Sequence, residues 1–211
     1  MILQNLYRLK ALGFEYAEFF NINERDSDQL PNNLEQLHTN IQTCHLCDLS
    51  KSRKQSMSGY GNPNASVMII DSVVSNSEDT TSSYYEGRAG DSLKKMVENV
   101  LELHVNDIYY THAVKCKPFG SNKPSESEYD TCKSYLFKQI ELIKPKVIIA
   151  LGEEVYNLFS QTREEFNSVR GHIVDFKEYK LVPIHNPQFL LRNPSFKRET
   201  MNDLIMIKSL L

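Results

Sequence analysis

The sequence predicts an α/β fold: a three-layer αβα arrangement around a central, mostly parallel four-stranded sheet, with a helical arm at the N-terminus. Three observations predict it. Four short apolar runs, residues 67–70, 108–114, 146–151 and 180–184, are continuous rather than alternating, which is the pattern of strands covered on both faces of a parallel sheet. Helical periodicity fills the intervals at 92–103, 126–143 and 153–160, so strand and helix alternate as in a doubly wound sheet. Finally, 211 residues with 40% apolar and 24% charged content supply one such domain with a full core and make a second complete one unlikely.

Taken in order, residues 2–12 place Leu3, Leu6, Tyr7, Leu9 and Leu12 at helical spacing and stop at Gly13, a short amphipathic helix with a glycine end. Asn33 is a candidate cap for a second helix through Leu34, Leu37 and Ile41. Residues 1–43 therefore read as a helical arm and 44–211 as the main domain. The first strand, 67–70, follows the turn Asn62-Pro63-Asn64 and precedes a Ser/Thr-rich stretch, 72–83, that reads as a loop. Doubly wound sheets bind ligands at the carboxyl ends of their strands, where the strand order reverses. The segments after Ile70, Thr111 and Ile184 are the places to look for chemistry.

Bulk properties exclude little. The net charge of −3 gives no overall basic balance, although Lys51, Arg53 and Lys54, then Lys115, Lys117 and Lys123, then Arg192, Lys197 and Arg198 form local basic groups. Each alone reads as a solvated surface. The first ten residues lack a basic region ahead of an apolar stretch, and the longest aliphatic run, 147–151, falls far short of the roughly 20 residues of a membrane helix. A cytoplasmic monomer without membrane contact is expected.

All four cysteines fit one pattern: Cys44-x2-Cys47, then 68 residues, then Cys116-x15-Cys132. A reducing compartment disfavours disulfides. The spacing leaves three readings open: tetrahedral zinc, a [4Fe-4S] cluster, or four unrelated buried cysteines.

Several motifs occur together in a fixed order: Cys44-His45-Leu46-Cys47-Asp48-Leu49, Gly87-Arg88-Ala89-Gly90, Val114-Lys115-Cys116-Lys117-Pro118, Cys132, Leu151-Gly152 and Leu190-Leu191-Arg192-Asn193-Pro194. In this order and spacing the chain resembles the family 4 uracil-DNA glycosylases from Cys44 to its C-terminus, roughly 80% of its length. The resemblance implies a [4Fe-4S] cluster on Cys44, Cys47, Cys116 and Cys132. It also implies uracil-containing DNA as substrate, the target base being flipped out of the stack. The activity implied is monofunctional hydrolysis of the N-glycosidic bond of uracil, and of other deaminated bases, in base excision repair.

The first catalytic motif departs from the family. Where the family reads Gly-Glu-Ala-Pro-Gly, two residues and Glu-Asp, this chain reads Asp71-Ser72-Val73-Val74-Ser75, then Asn76-Ser77 and Glu78-Asp79. Asp71 or Glu78 is expected to position water, with Ser72 at the substrate. Tyr85 stands where the family stacks uracil on a phenylalanine, and Tyr84 replaces a proline. Thr111-His112 replaces Thr-Asn, so His112 is expected at the edge of the base. His185, in His185-Asn186-Pro187, is expected to donate to the uracil O2 as charge develops there. Arg192, Lys197 and Asn186 are expected at the DNA, with the segment after His185 entering the minor groove as a loop. Two other readings remain: a non-catalytic protein that binds uracil-DNA or damaged DNA on the same scaffold, and an accessory whose acidic N-terminal arm meets a repair or replication protein.

Overall fold

The computed structural model describes residues 30–120, 123–160 and 165–211. The helix expected over 2–12 lies outside the described residues. Residues 31–211 form one compact unit. It opens with helix α1 (Leu34–Gln42), whose cap Asn33 accepts from the Glu35 and Gln36 N–H groups and whose inner face buries Leu37 and Ile41. Strands β1 (Tyr60–Gly61) and β2 (Val67–Val73) follow, then helices α2 (Asn76–Thr81) and α3 (Gly87–Met96), the latter running into a π-type turn at Val97–Leu101. Strand β3 (Tyr109–Val114), helix α4 (Glu126–Ile143) and strand β4 (Val147–Leu151) come next. The chain then forms helices α5 (Glu153–Tyr156) and α6 (Phe166–Val169), strands β5 (Val174–Phe176) and β6 (Tyr179–Ile184), and helices α7 (Pro187–Arg192) and α8 (Lys197–Lys208).

Among the described residues the sheet has six strands in the order β1-β3-β2-β4-β6-β5. The four expected strands form its parallel centre, while β1 and β5 pair antiparallel at the two edges. At two and three residues, these edge strands are too short to show a periodicity. From β2 the chain moves outward to β3, and from β4 it moves the opposite way to β6. The switch point therefore lies between the carboxyl ends of β2 and β4.

Both faces of the sheet are covered. Val67 and Ile69 pack with Leu93, Val97 and Leu101 on one side, and Met68 and Ile70 with Leu136 and Ile140 on the other. That two-sided cover makes the β2 run continuous, and each such side chain stabilises the fold by about 1.5–3 kcal/mol on burial. Two segments expected as loops are helical. Within 72–83, Ser75 closes a capping box with Glu78 and starts α2. After His185, the cap Asn186 and Pro187 at the first helical position start α7, and α8 follows.

Candidate active site

The carboxyl ends of β2 and β3 bring the polar residues together. The two strands pair with Asp71 opposite His112, and the period of two places Tyr110 on the same face of β3 as His112. The Tyr110 hydroxyl donates to Asp71 Oδ2 at 3.4 Å and lies 3.2 Å from His112 Nε2. His112 Nε2 is in turn 3.2 Å from Glu78 Oε2; with the Tyr110 proton on Asp71, the Nε2–H is shared and both the Glu78 carboxylate and the Tyr110 oxygen accept from it. Asp71, Tyr110, His112 and Glu78 form one buried chain of hydrogen bonds. From the far side of the switch point, Asn186 donates its amide to Asp71 Oδ1, which also accepts from the Ser72 N–H at 2.7 Å.

The two carboxylates are pushed in opposite directions. Burial raises the Asp71 carboxyl from 3.8 to about 6, against the opposing pull of His112, the Ser72 N–H and Asn186. Burial also acts on Glu78, but the His112 imidazole and the two bonds of the Ser75 capping box outweigh it and hold Glu78 below its ordinary range. Separation of this kind assigns different roles to neighbouring acids.

Aromatic rings wall this chain. Tyr85 stacks on Tyr110 with centroids 4.6 Å apart, and Tyr84 stacks on both Tyr60 (5.4 Å) and His112 (6.2 Å). Tyr85 has a left-handed backbone, φ 61°, which is strained for a bulky residue. Gly90 permits that close turn, because a Cβ there would sit 2.1 Å from the Tyr85 carbonyl carbon. The motif Gly87-Arg88-Ala89-Gly90 is therefore the seat of the Tyr85 ring.

His185 follows β6 and packs its ring against Phe189 (4.7 Å), Phe196 (5.1 Å) and Phe166 (5.6 Å). Burial, then Arg170, lowers its pKa and favours the neutral ring. It makes no hydrogen bond to Asp71 or Glu78. The neighbouring Asn186 provides the link, capping α7 and bonding Asp71. Among the described residues, four buried polar atoms have no protein partner: Glu78 Oε1, Tyr85 Oη, His112 Nδ1 and His185 Nε2. Buried polar atoms are ordinarily satisfied, so these four call for water or a ligand. Ser72 lies beside Asp71 at the end of β2 and is partly buried. Arg192 and Lys197 are exposed on α7 and α8 beside Phe189, which is 37% exposed.

The four cysteines arrive from separate parts of the chain and line one pocket, together with Arg53 and Lys115. Cys44 and Cys47 come from the turn after α1, Cys116 from the loop after β3, and Cys132 from α4. None forms a disulfide. Among the described residues, no three His, Cys, Asp or Glu side chains converge on a point that would hold a single ion.

Residues 58–206 match the family model described as the uracil DNA glycosylase superfamily. The chain belongs to this superfamily. It is 31% identical over 181 residues to the Type-4 uracil-DNA glycosylase of Pyrobaculum aerophilum, covering 82% of this chain and 92% of that protein. Against the Type-4 uracil-DNA glycosylase of Saccharolobus solfataricus the identity is 30%, over 85% of this chain and 87% of the relative. The corresponding protein of Sulfurisphaera tokodaii is 29% identical over 84% of each chain. In this chain Asp71 and Glu78 are linked through Tyr110 and His112. Tyr110 escaped the sequence reading because it sits inside an apolar strand; its signal was its position two residues before His112. Phe189 is equally hidden, because its helix of six residues is too short to show a helical period.

Proposed function

We propose that this chain is a monofunctional DNA glycosylase that hydrolyses the bond between uracil N1 and deoxyribose C1′. The supporting observation is Asp71 at the switch point, bonded to Asn186 from beyond β6 and linked through Tyr110 and His112 to Glu78. The reaction needs a carboxylate near the sugar and donors near the departing base. Asp71, the one member of the chain that is only partly buried, accepts a proton from water as the water oxygen bonds to C1′. The C1′–N1 bond breaks and its electron pair leaves with uracil. Glu78 is locked by its cap bonds and by His112, so it serves as the fixed anion rather than the base. Tyr85 offers a ring face to the flipped base, and His112 Nδ1 and the neutral His185 offer unused polar atoms for its edge. Exposed Arg192 and Lys197 suit contact with phosphates, and Phe189 suits insertion at the gap left in the stack.

The four-thiol pocket fits a [4Fe-4S] cluster. Cys44, Cys47, Cys116 and Cys132 would hold it, each thiolate on its own iron, so the sulfurs need not meet at one point as a zinc ion demands. Its contribution is to tie α1, β3 and α4 together.

The test is single-turnover excision from a uracil-containing oligonucleotide, scored by alkali-sensitive breakage. Wild-type protein is expected to cleave, and Asp71→Asn to lose at least about 100-fold in rate. Excision at the wild-type rate in both Asp71→Asn and Glu78→Gln would remove the catalytic assignment. A gel shift with no breakage by the wild type would favour the binding-only reading, which the altered first motif supports.

A further inference from the structure

Lys115 is an electrostatic oddity outside the candidate active site. Its side chain is 1% exposed, and Nζ donates to Thr111 Oγ1 at 2.7 Å, to the His112 carbonyl at 2.6 Å and to Gln139 Oε1. All three acceptors are neutral. Among the described residues no carboxylate pairs with this ammonium, and a buried charge without a counter-charge is strongly disfavoured. Lys115 lines the same pocket as the four cysteines. A second cation approaches from the other side: Arg53 Nη1 donates to Cys116 Sγ at 2.9 Å, and Nη2 donates to the Cys44 carbonyl at 2.6 Å.

Resting on the cluster reading above, we infer that Lys115 and Arg53 are the counter-charges of the four-thiolate centre, and that Lys115 also ties that centre to the His112 end of β3. Four thiolates on a [4Fe-4S] core leave a net negative charge, and the charges and hydrogen bonds beside the sulfurs govern how firmly the iron is kept and how easily the core accepts an electron. Lys115 serves both ends at once. Lys115 lines the cysteine pocket while its bonds fix Thr111 and the His112 carbonyl.

The experiment compares anaerobically purified wild-type protein with Lys115→Met, Arg53→Gln and Arg53→Lys. Iron per chain, the rate of iron release to a chelator, and the midpoint potential are read alongside circular dichroism. Both neutral variants are expected to release iron about 10–100-fold faster than wild type, and their potentials to move to more negative values, since the lost positive charge favoured the reduced core. Arg53→Lys, which keeps the charge, is expected to restore most of the retention. A folded Lys115→Met or Arg53→Gln protein with wild-type release and potential overturns the inference. If Lys115→Met does not fold, the half-buried Arg53 pair decides: equal iron loss in Arg53→Gln and Arg53→Lys shows a packing role and overturns it. Wild-type protein that holds no iron defeats the cluster reading, and this inference with it.

Discussion

Asp71 binds its proton more tightly in the folded protein than in the unfolded chain, because burial raises its carboxyl from 3.8 to about 6. Below the unfolded value both states are protonated and there is no penalty. Between the two values the penalty grows with pH, and above about 6 it is fully present. Asp71→Asn is therefore expected to raise stability at pH ~7 by about 1–3 kcal/mol, with the gain vanishing below pH ~4. Thermal unfolding at the two pH values checks this. The same residue sets the activity profile: the single-turnover rate should rise as Asp71 ionises and level off above about 6. A variant that is stabler yet inactive is the mark of a group kept for function rather than for folding. Tyr110 has a narrower role, because its hydroxyl joins Asp71 to His112. Tyr110→Phe keeps the ring under Tyr85 and should slow excision about tenfold, with the pH midpoint shifted as Asp71 loses that bond.

Two elements hold the site's geometry. Helix α2 begins at the Ser75 capping box, in which the Ser75 hydroxyl accepts from the Glu78 N–H and Glu78 Oε2 accepts from the Ser75 N–H. Ser75→Ala should cost about 1 kcal/mol and free Glu78 to move from His112, seen as a smaller Tm with reduced excision. The start of α3 has a different constraint, because Gly90 sits against the Tyr85 backbone. Gly90→Ala is expected to destabilise by about 1–3 kcal/mol and to weaken uracil-DNA binding by displacing the Tyr85 ring. These helix starts also show why legibility was uneven. The Ser75 and Asn186 caps are present in the sequence, but at six residues each the helices they start are too short to show a helical period.

At the scale of the whole molecule, the cysteines join chain segments that are distant in sequence, from Cys44 to Cys132. With the proposed cluster bound, cross-linking a segment of this length through metal–thiolate bonds would restrict the unfolded chain and stabilise the fold by about 3–5 kcal/mol. Removing iron with a chelator is expected to lower Tm accordingly, and hydrogen exchange should report the loosening first at α1 and at the loop after β3. No described helix is long and apolar enough to cross a membrane. The four parallel strands were legible because each is buried on both faces and reads as an unbroken apolar run, whereas the edge strands β1 and β5 left no such trace.

The sequence by itself determined the alternating strand–helix order, the superfamily resemblance, the cysteine pattern and the carboxylate at the end of β2, since each rests on residue type and spacing along the chain. Only the tertiary structure decided that Asp71 and Glu78 belong to one chain of hydrogen bonds through Tyr110 and His112, that Asn186 closes it from beyond β6, and that Lys115 lies buried between that site and the sulfurs. Those contacts join residues up to 115 positions apart. Their existence depends on strand register and strand order, which no local pattern encodes.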